Sequence, residues 1–382
     1  MNPASRSDIA PFYVMEVMSA AAERERAGGD VLHLEVGQPS TPAPETVLTA
    51  AAAALVSDRL GYTGALGIPE LRERISRHYL DRYGIEVPPE RIAITVGASG
   101  GCVLAFLAAF DAGARVAVTE PGYPCYRNML EAFDIEVVGL PIGAETRYAP
   151  TPDMLDPALD GLVVASPSNP TGTVLTAAEL QGIAEHCRRH NIRLISDEIY
   201  HGIEHTHPAT TAAGFPDAIV VQSFSKYYSM TGWRLGWLVL PPDLVRPAER
   251  LAQNLFISAP TLSQLSGVAA FDATPELDRN VARYRTNRDV LVAALRDAGI
   301  TRIAPADGAF YVYADVSALT DDAQELCRIW LEELGVAATP GIDFDVPRGH
   351  RFVRFSCSES TADVIEAARR LSAWIEARRS PE

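Results

Sequence analysis

The sequence is poor in the features that mark secreted, membrane-spanning or nucleic-acid-binding chains. Its five cysteines, Cys102, Cys125, Cys187, Cys327 and Cys357, are odd in number and scattered, and no C-x-x-C pair occurs among them. A disulfide framework and a zinc or redox motif are therefore both disfavoured, and reduced thiols are expected. No stretch approaches the roughly eighteen consecutive apolar residues of a membrane-crossing helix. The segment Met1 to Pro11 carries Arg6 and Asp8 where a secretory leader would need an apolar core. A cytoplasmic, non-membrane protein is the expectation. Positive charge is also scarce, with 33 Lys and Arg against 49 Asp and Glu and a net charge of −16. Neutralising a phosphate backbone needs clustered cations, so no nucleic-acid partner is expected. A few arginines facing a cleft can still bind a small anion.

What is abundant is apolar material. At 382 residues, 47% of them hydrophobic, the chain outgrows a single core, which predicts a large domain with a smaller companion. Apolar runs alternate with amphipathic segments, the signature of an α/β fold. Strands are expected at Ile92 to Val96, Val116 to Thr119, Ile135 to Leu140, Leu162 to Ala165, Leu194 to Ser196, Ile219 to Gln222 and Leu235 to Leu240. Several are continuously apolar, as parallel strands covered on both faces should be. Helices are expected at Pro69 to Tyr83, Gly101 to Phe110, Tyr123 to Phe133 and Ala177 to His190, the last opened by a Thr176 and Glu179 capping box. After Pro241 the pattern turns to long helices, Pro242 to Asp272 and Glu276 to Ala298, and then to short strands near Phe310 to Tyr313 and Phe352 to Ser356. A second, α+β domain is expected from about Pro275.

The chemistry concentrates in Ser223-Phe224-Ser225-Lys226, which follows an apolar strand and is followed by Gly232-Trp233-Arg234. A lysine attacks an aldehyde only as the neutral amine, so burial and a neighbouring cation are what such a site needs. Ser196-Asp197-Glu198-Ile199-Tyr200 ends another strand and puts Asp197 at its carboxyl end, where open α/β sheets bind ligands, although a helix N-cap would suit the same aspartate. Ser166-Pro167-Ser168-Asn169-Pro170 is a rigid turn after a third strand, in which Asn169 also fits a structural role. Thr95-Val96-Gly97-Ala98-Ser99-Gly100-Gly101 hands a strand to a helix, a setting that favours an anion. Tyr123 lies in Pro121-Gly122-Tyr123-Pro124, where an aromatic is also at home as a core residue.

This ordered set resembles the class I and II aminotransferases of the pyridoxal-phosphate (PLP) fold type I superfamily, over about Val36 to Ser356. The resemblance implies a mostly parallel seven-stranded sheet in a large PLP-binding domain, residues 45–274. It implies an N-terminal arm and part of the small domain at 1–44, and a smaller α+β domain at 275–382. By the same resemblance Lys226 holds PLP as a Schiff base, Asp197 pairs with the pyridine nitrogen, and Asn169 and Tyr200 donate to its phenolic oxygen. Gly97, Ala98, Ser99, Ser223, Ser225 and Arg234 cradle the phosphate, and Tyr123 stacks on the ring. Arg354, in Arg351-Phe352-Val353-Arg354, matches the arginine that grips the substrate α-carboxylate with a planar fork, and the backbone of Gly37 closes over the substrate. Tyr62, in Gly61-Tyr62-Thr63, matches the tyrosine that reaches the phosphate of a neighbouring subunit, which implies a homodimer with shared sites.

The implied reaction moves an amino group between an L-amino acid and a 2-oxo acid by a ping-pong route through pyridoxamine phosphate. A cysteine-conjugate β-lyase is the alternative, since both begin with loss of the α-proton. A PLP-sensing regulatory module is opposed by the acidic balance and by the lack of room for a DNA-binding domain. The apolar and aromatic Phe12-Tyr13-Val14-Met15 resembles the segment bordering the side-chain pocket and points to an uncharged amino acid. No arginine is assigned to a second substrate carboxylate. His201, His205 and His207 have a spacing that suits a metal, but Pro208 follows and no metal site is expected.

Overall fold

Successive residues of a strand point to opposite faces, so a run that is apolar at every position needs cover on both sides of its sheet. A computed structural model describes residues 3–379; the first two residues and the last three, included in the expectations for the arm and the C-terminal domain, lie outside the described residues. Ahead of the main sheet come α1 (Tyr13–Arg26), the short β1 (Leu32–His33), α2 (Glu45–Ser57) and α3 (Pro69–Tyr83). The sheet and its helices follow as β2 (Ile92–Thr95), α4 (Gly97–Ala109), β3 (Arg115–Glu120), α5 (Pro124–Ala132) and β4 (Glu136–Pro141). They continue as β5 (Gly161–Ala165), α6 (Ala177–His190), β6 (Arg193–Asp197), β7 (Ile219–Ser223) and β8 (Gly236–Val239).

These seven strands form one sheet in the order β2-β8-β7-β6-β5-β3-β4. All pairs are parallel except the two made by β8, so the fold is α/β with a mostly parallel sheet. Two apolar cores flank it. Ile94, Leu162, Leu194 and Val220 belong to one, and Ala93, Val163, Ile195 and Val221, their chain neighbours, to the other. Each of the Val, Leu and Ile side chains contributes about 1.5–3 kcal/mol on burial, which is why the strands read as apolar runs. The order reverses at β3, with β4 on one side and β5 on the other, and such a switch point opens a crevice at the carboxyl ends.

The long helix expected from Pro242 to Asp272 is instead two, α7 (Pro242–Leu255) and α8 (Thr261–Ala270). Ile257 takes a left-handed φ of 67°, and Pro260 caps α8 with no N–H to continue a helix from before it. The helix expected from Gly101 starts earlier, at Gly97. Beyond α9 (Thr274–Asp297) lie β9 (Tyr311–Asp315), α10 (Ala323–Leu334), β10 (Val336–Ala337), β11 (Thr339–Pro340), β12 (Phe352–Ser356) and α11 (Thr361–Arg379). β11, β12 and β9 make an antiparallel sheet in which Arg354 sits opposite Tyr313 and Thr339. β1 pairs in parallel with β10, which ties the segment leading to Gly37 to the C-terminal part of the chain.

Candidate active site

Four parallel strands end beside one another, and the residues just past their ends converge. β6 delivers Asp197, which is buried; one carboxylate oxygen accepts from the Tyr126 hydroxyl and the other from the Ile199 N–H at 3.1 Å. Burial pushes the Asp197 carboxyl up to about 6, against the pull of Tyr126, Ile199 and Lys226. An acid so placed is suited to a cationic N–H partner.

β7 delivers Ser223 and then Lys226. The Ser223 hydroxyl accepts from the Ser225 N–H at 3.0 Å, and the Thr231 hydroxyl donates to the Ser225 carbonyl at 3.0 Å, which shapes the loop around the lysine. Lys226 Nζ donates to the Gly37 carbonyl at 2.6 Å and lies 5.7 Å from the centre of the Tyr200 ring. Burial above all, then the positive charges of Arg354 and Arg234, bring its pKa down to about 8, with Asp197 opposing. Among the 33 lysine and arginine residues of the chain it alone is a lysine.

Arg234, at a φ of 52°, turns its guanidinium toward the start of α4 and donates to the Thr231 carbonyl at 3.1 Å. Gly97 opens that helix at a φ of +67°, and a Cβ there would lie 2.5 Å from Arg234 Nη2. With Ala98 and Ser99 on the first turn, and Ser223 and Ser225 across from them, these groups surround the positive end of a helix. That combination of free N–H groups, hydroxyls and a guanidinium suits a phosphate.

Arg354 comes from β12 and is buried. It donates to Asn169 Oδ1 at 3.0 Å, to the Glu35 carbonyl, and to Thr339 Oγ1 at 3.4 Å, while its Nε is buried without a partner. The Tyr311 and Phe344 rings stack on the guanidinium, 4.5 and 4.8 Å from their centres. Tyr200 and Tyr311 share a hydroxyl hydrogen bond of 2.7 Å. A Cβ on Gly37 would collide with the Tyr311 hydroxyl, so only glycine allows the approach of that backbone. Tyr123 follows β3 and packs edge-on against Tyr126 and Phe12.

Lys226, Asp197, Tyr200, Asn169, Tyr123, Arg234, Arg354, Gly37, Ala98, Ser99, Ser223 and Ser225 thus line one cleft, with Gly97 behind its rim. Tyr62 does not: it is 83% exposed, outside the cleft of its own chain. Arg351 is exposed. His201 is buried and bonded to the Tyr83 hydroxyl at 2.8 Å, His205 is bonded to the Ala309 carbonyl, and no three His, Cys, Asp or Glu side chains gather for a metal among the described residues. Sequence reasoning passed over Tyr126, Tyr311 and Met18. The spacing of Tyr126 three residues after Tyr123, the residue that caps α5, is a signal that points to the first of these; Tyr311 lies in a short strand whose sequence carries none.

Comparison with known proteins agrees with this geometry. Residues 29–371 match the family model for aminotransferase class I and II. A valine–pyruvate aminotransferase of Mycobacterium tuberculosis is 53% identical over 380 residues, covering 97% of this chain and 98% of that protein. The aspartate/prephenate aminotransferase of Thermus thermophilus is 32% identical and covers 95% of each chain. A crystal structure of an aminotransferase from Mycobacterium tuberculosis superposes with a TM-score of 0.96 at 52% identity, covering 99% of this chain and 100% of that one. The Thermus thermophilus aspartate aminotransferase solved with maleate gives 0.92 at 29% identity, covering 98% and 100%. With the lysine, the strand-end aspartate and the glycine-rich start of α4 assembled around one cleft, the chain belongs to the class I and II aminotransferases.

Proposed function

We propose that the chain is a PLP-dependent aminotransferase for a small uncharged amino acid, with Lys226 as the amine that binds the cofactor aldehyde. The observation that carries the reading is the part-buried Lys226 Nζ, 2.6 Å from the Gly37 carbonyl, in a cleft with the Asp197 carboxylate and the Arg354 guanidinium. The donor set fits the cofactor group by group: an acid for the ring nitrogen, a helix start with Arg234 for the phosphate, and Asn169 and Tyr200 for the phenolic oxygen. When bound, the cofactor supplies a carbonyl that captures amino groups and a cationic ring that accepts electron density.

The chain's own residues then divide the work. Arg354 takes the α-carboxylate; its Nε has no partner and the rings of Tyr311 and Phe344 keep its plane fixed. The Gly37 backbone, which lines the cleft and accepts from Lys226, is placed to close over the substrate. Lys226, with its pKa lowered to about 8, is partly neutral near pH 7 and is suited to take the α-proton and return it. Asp197 holds its proton partner without competition from solvent. Phe12, Val14, Met15 and Met18 wall part of the cleft, which favours an aliphatic side chain, in keeping with the valine–pyruvate relative.

The same reading assigns 45–274 to the cofactor-binding domain and 1–44 with 275–382 to the arm and smaller domain. Pairing of β1 with β10 and packing of α11 on α9 support that division. It also makes the protein a cytoplasmic homodimer. Five free cysteines and the absence of a membrane-length apolar helix among the described residues are compatible with that location.

Loaded with PLP, the protein is expected to show a visible absorbance that Lys226→Ala abolishes, and borohydride should fix one cofactor on this single lysine. An unaltered spectrum in the variant refutes the assignment. In a panel of amino acids without an added acceptor, valine or alanine should yield about one equivalent of 2-oxo acid per site. Continuous release of pyruvate and thiol from a cysteine conjugate would indicate the lyase reaction instead.

A further inference from the structure

The start of α1 has no cap of its own. Phe12 occupies the N-cap position and cannot accept a hydrogen bond through its side chain, so the first N–H groups of the helix need an acceptor from elsewhere. Asp343 provides it across 330 residues: one carboxylate oxygen accepts from Tyr13 N–H at 3.2 Å and the other from Val14 N–H at 3.1 Å. The carboxylate is buried and lies in the turn between β11 and β12, two strands of the sheet that carries Arg354. That turn is itself rigidly held. Phe344 accepts from Gly122 N–H at 2.9 Å, and Arg348, paired with Asp345 at 2.8 Å, donates to the carbonyls of Glu120 and Ile142 at 2.6 and 3.0 Å. A Cβ on Gly341 would lie 2.6 Å from the Gly349 carbonyl, so the two ends of the segment are packed backbone to backbone.

The helix start fastened to this anchor carries Phe12, Val14 and Met15 into the cleft, with Met18 on the following turn. Asp343 does not line the cleft itself. The geometry points to Asp343 as a positioning residue that sets the side-chain preference of the site, by clamping the apolar wall of α1 at a fixed distance from the arginine that holds the substrate. This rests on the proposed preference for small aliphatic amino acids. A wall held in place rewards the two extra methyl groups of valine; a loosened wall does not, whereas alanine is too short to depend on it.

The test uses the full-length, PLP-loaded protein and its Asp343→Ala and Asp343→Asn variants. Amide hydrogen exchange of the peptide spanning residues 12–18 should quicken about tenfold in the alanine variant, the size of effect a lost helix cap gives. The ratio of kcat/KM for valine to that for alanine should fall about tenfold through KM, while the visible spectrum of the Lys226-bound cofactor and its pH midpoint stay as in the wild type. The asparagine variant keeps one good acceptor and should fall between the two. Unchanged exchange in the alanine variant overturns the proposal, and so does faster exchange with an unchanged valine-to-alanine ratio. If the alanine variant does not fold, an asparagine variant identical to wild type in both measurements overturns it. A wild-type enzyme that ignores valine and alanine while its helix still loosens in the variant would refute the substrate reading and leave the clamp standing as a structural device alone, which also overturns the proposed role in preference.

Discussion

At the scale of single residues, burial decides which titratable groups are chemically interesting. Asp197 is buried and Lys226 largely withdrawn from water, with partners that stabilise only part of their charge, so their pKa values move toward each other, to about 6 for Asp197 and about 8 for Lys226. Glu198, next in the chain, is also buried and raised, to about 7, yet its oxygens are used by the hydroxyls of Ser196 and Thr211 and by Ala212 N–H, which makes it a support for the strand end. His33 behaves oppositely. Its ring nitrogens face Glu35 at 2.8 Å and Glu25 at 3.2 Å, and the bond to Glu35 above all raises its pKa to about 9. A raised folded-state value means that the stabilisation is complete below the ordinary histidine value near 6.5 and is lost as pH rises through about 9. The thermal midpoint of the wild type should therefore exceed that of His33→Gln at pH 6, with the gap closing by pH 10. A gap independent of pH would show that His33 acts through packing.

At the scale of elements, local rules and tertiary needs mostly agree. The capping box of α6 is present in full, with Glu179 N–H donating to Thr176 Oγ1 at 3.2 Å and Thr176 N–H to Glu179 Oε2 at 2.7 Å. Thr176→Ala is expected to lower stability by about 1 kcal/mol without changing activity, read as a shift in the denaturation midpoint. No shift would mean that Arg147, which bonds Glu179 at 3.0 Å, holds the helix start unaided. α7 and α8 show where periodicity misleads. Both halves carry helical patterns, and only the proline before α8 and the left-handed Ile257 mark the break. The short strands β1, β10 and β11 have two residues each and leave no periodic trace in the sequence.

At the scale of the whole molecule, the exposed apolar residues are informative. Tyr62 is 83% exposed, and Leu55, Val56, Leu255 and Ile257 are also open to solvent. Water-exposed groups of this kind suit a subunit interface, as the proposed homodimer would require. The native mass in solution is expected at twice 41.2 kDa. Tyr62→Phe should keep that mass and weaken PLP binding about tenfold, the loss expected when a hydrogen bond to a charged group is removed. A variant with unaltered cofactor affinity would remove Tyr62 from the phosphate site.

The sequence by itself determined the seven strands of the main sheet, the order of the chemical landmarks and the single lysine, because these depend on spacing along a chain whose local periods follow from backbone geometry. Gly97, Asp197, Ser223 and Lys226 could be placed that way, each at or just beyond the end of a strand. Tertiary structure alone decided the pairings that bridge distant segments: Tyr126 on Asp197 across 71 residues, the Gly37 carbonyl on Lys226 across 189, and Asp343 on the start of α1 across 330. No spacing rule encodes these contacts, since they arise only when sheets and helices have packed and each buried polar atom must find a partner among whatever has been brought alongside.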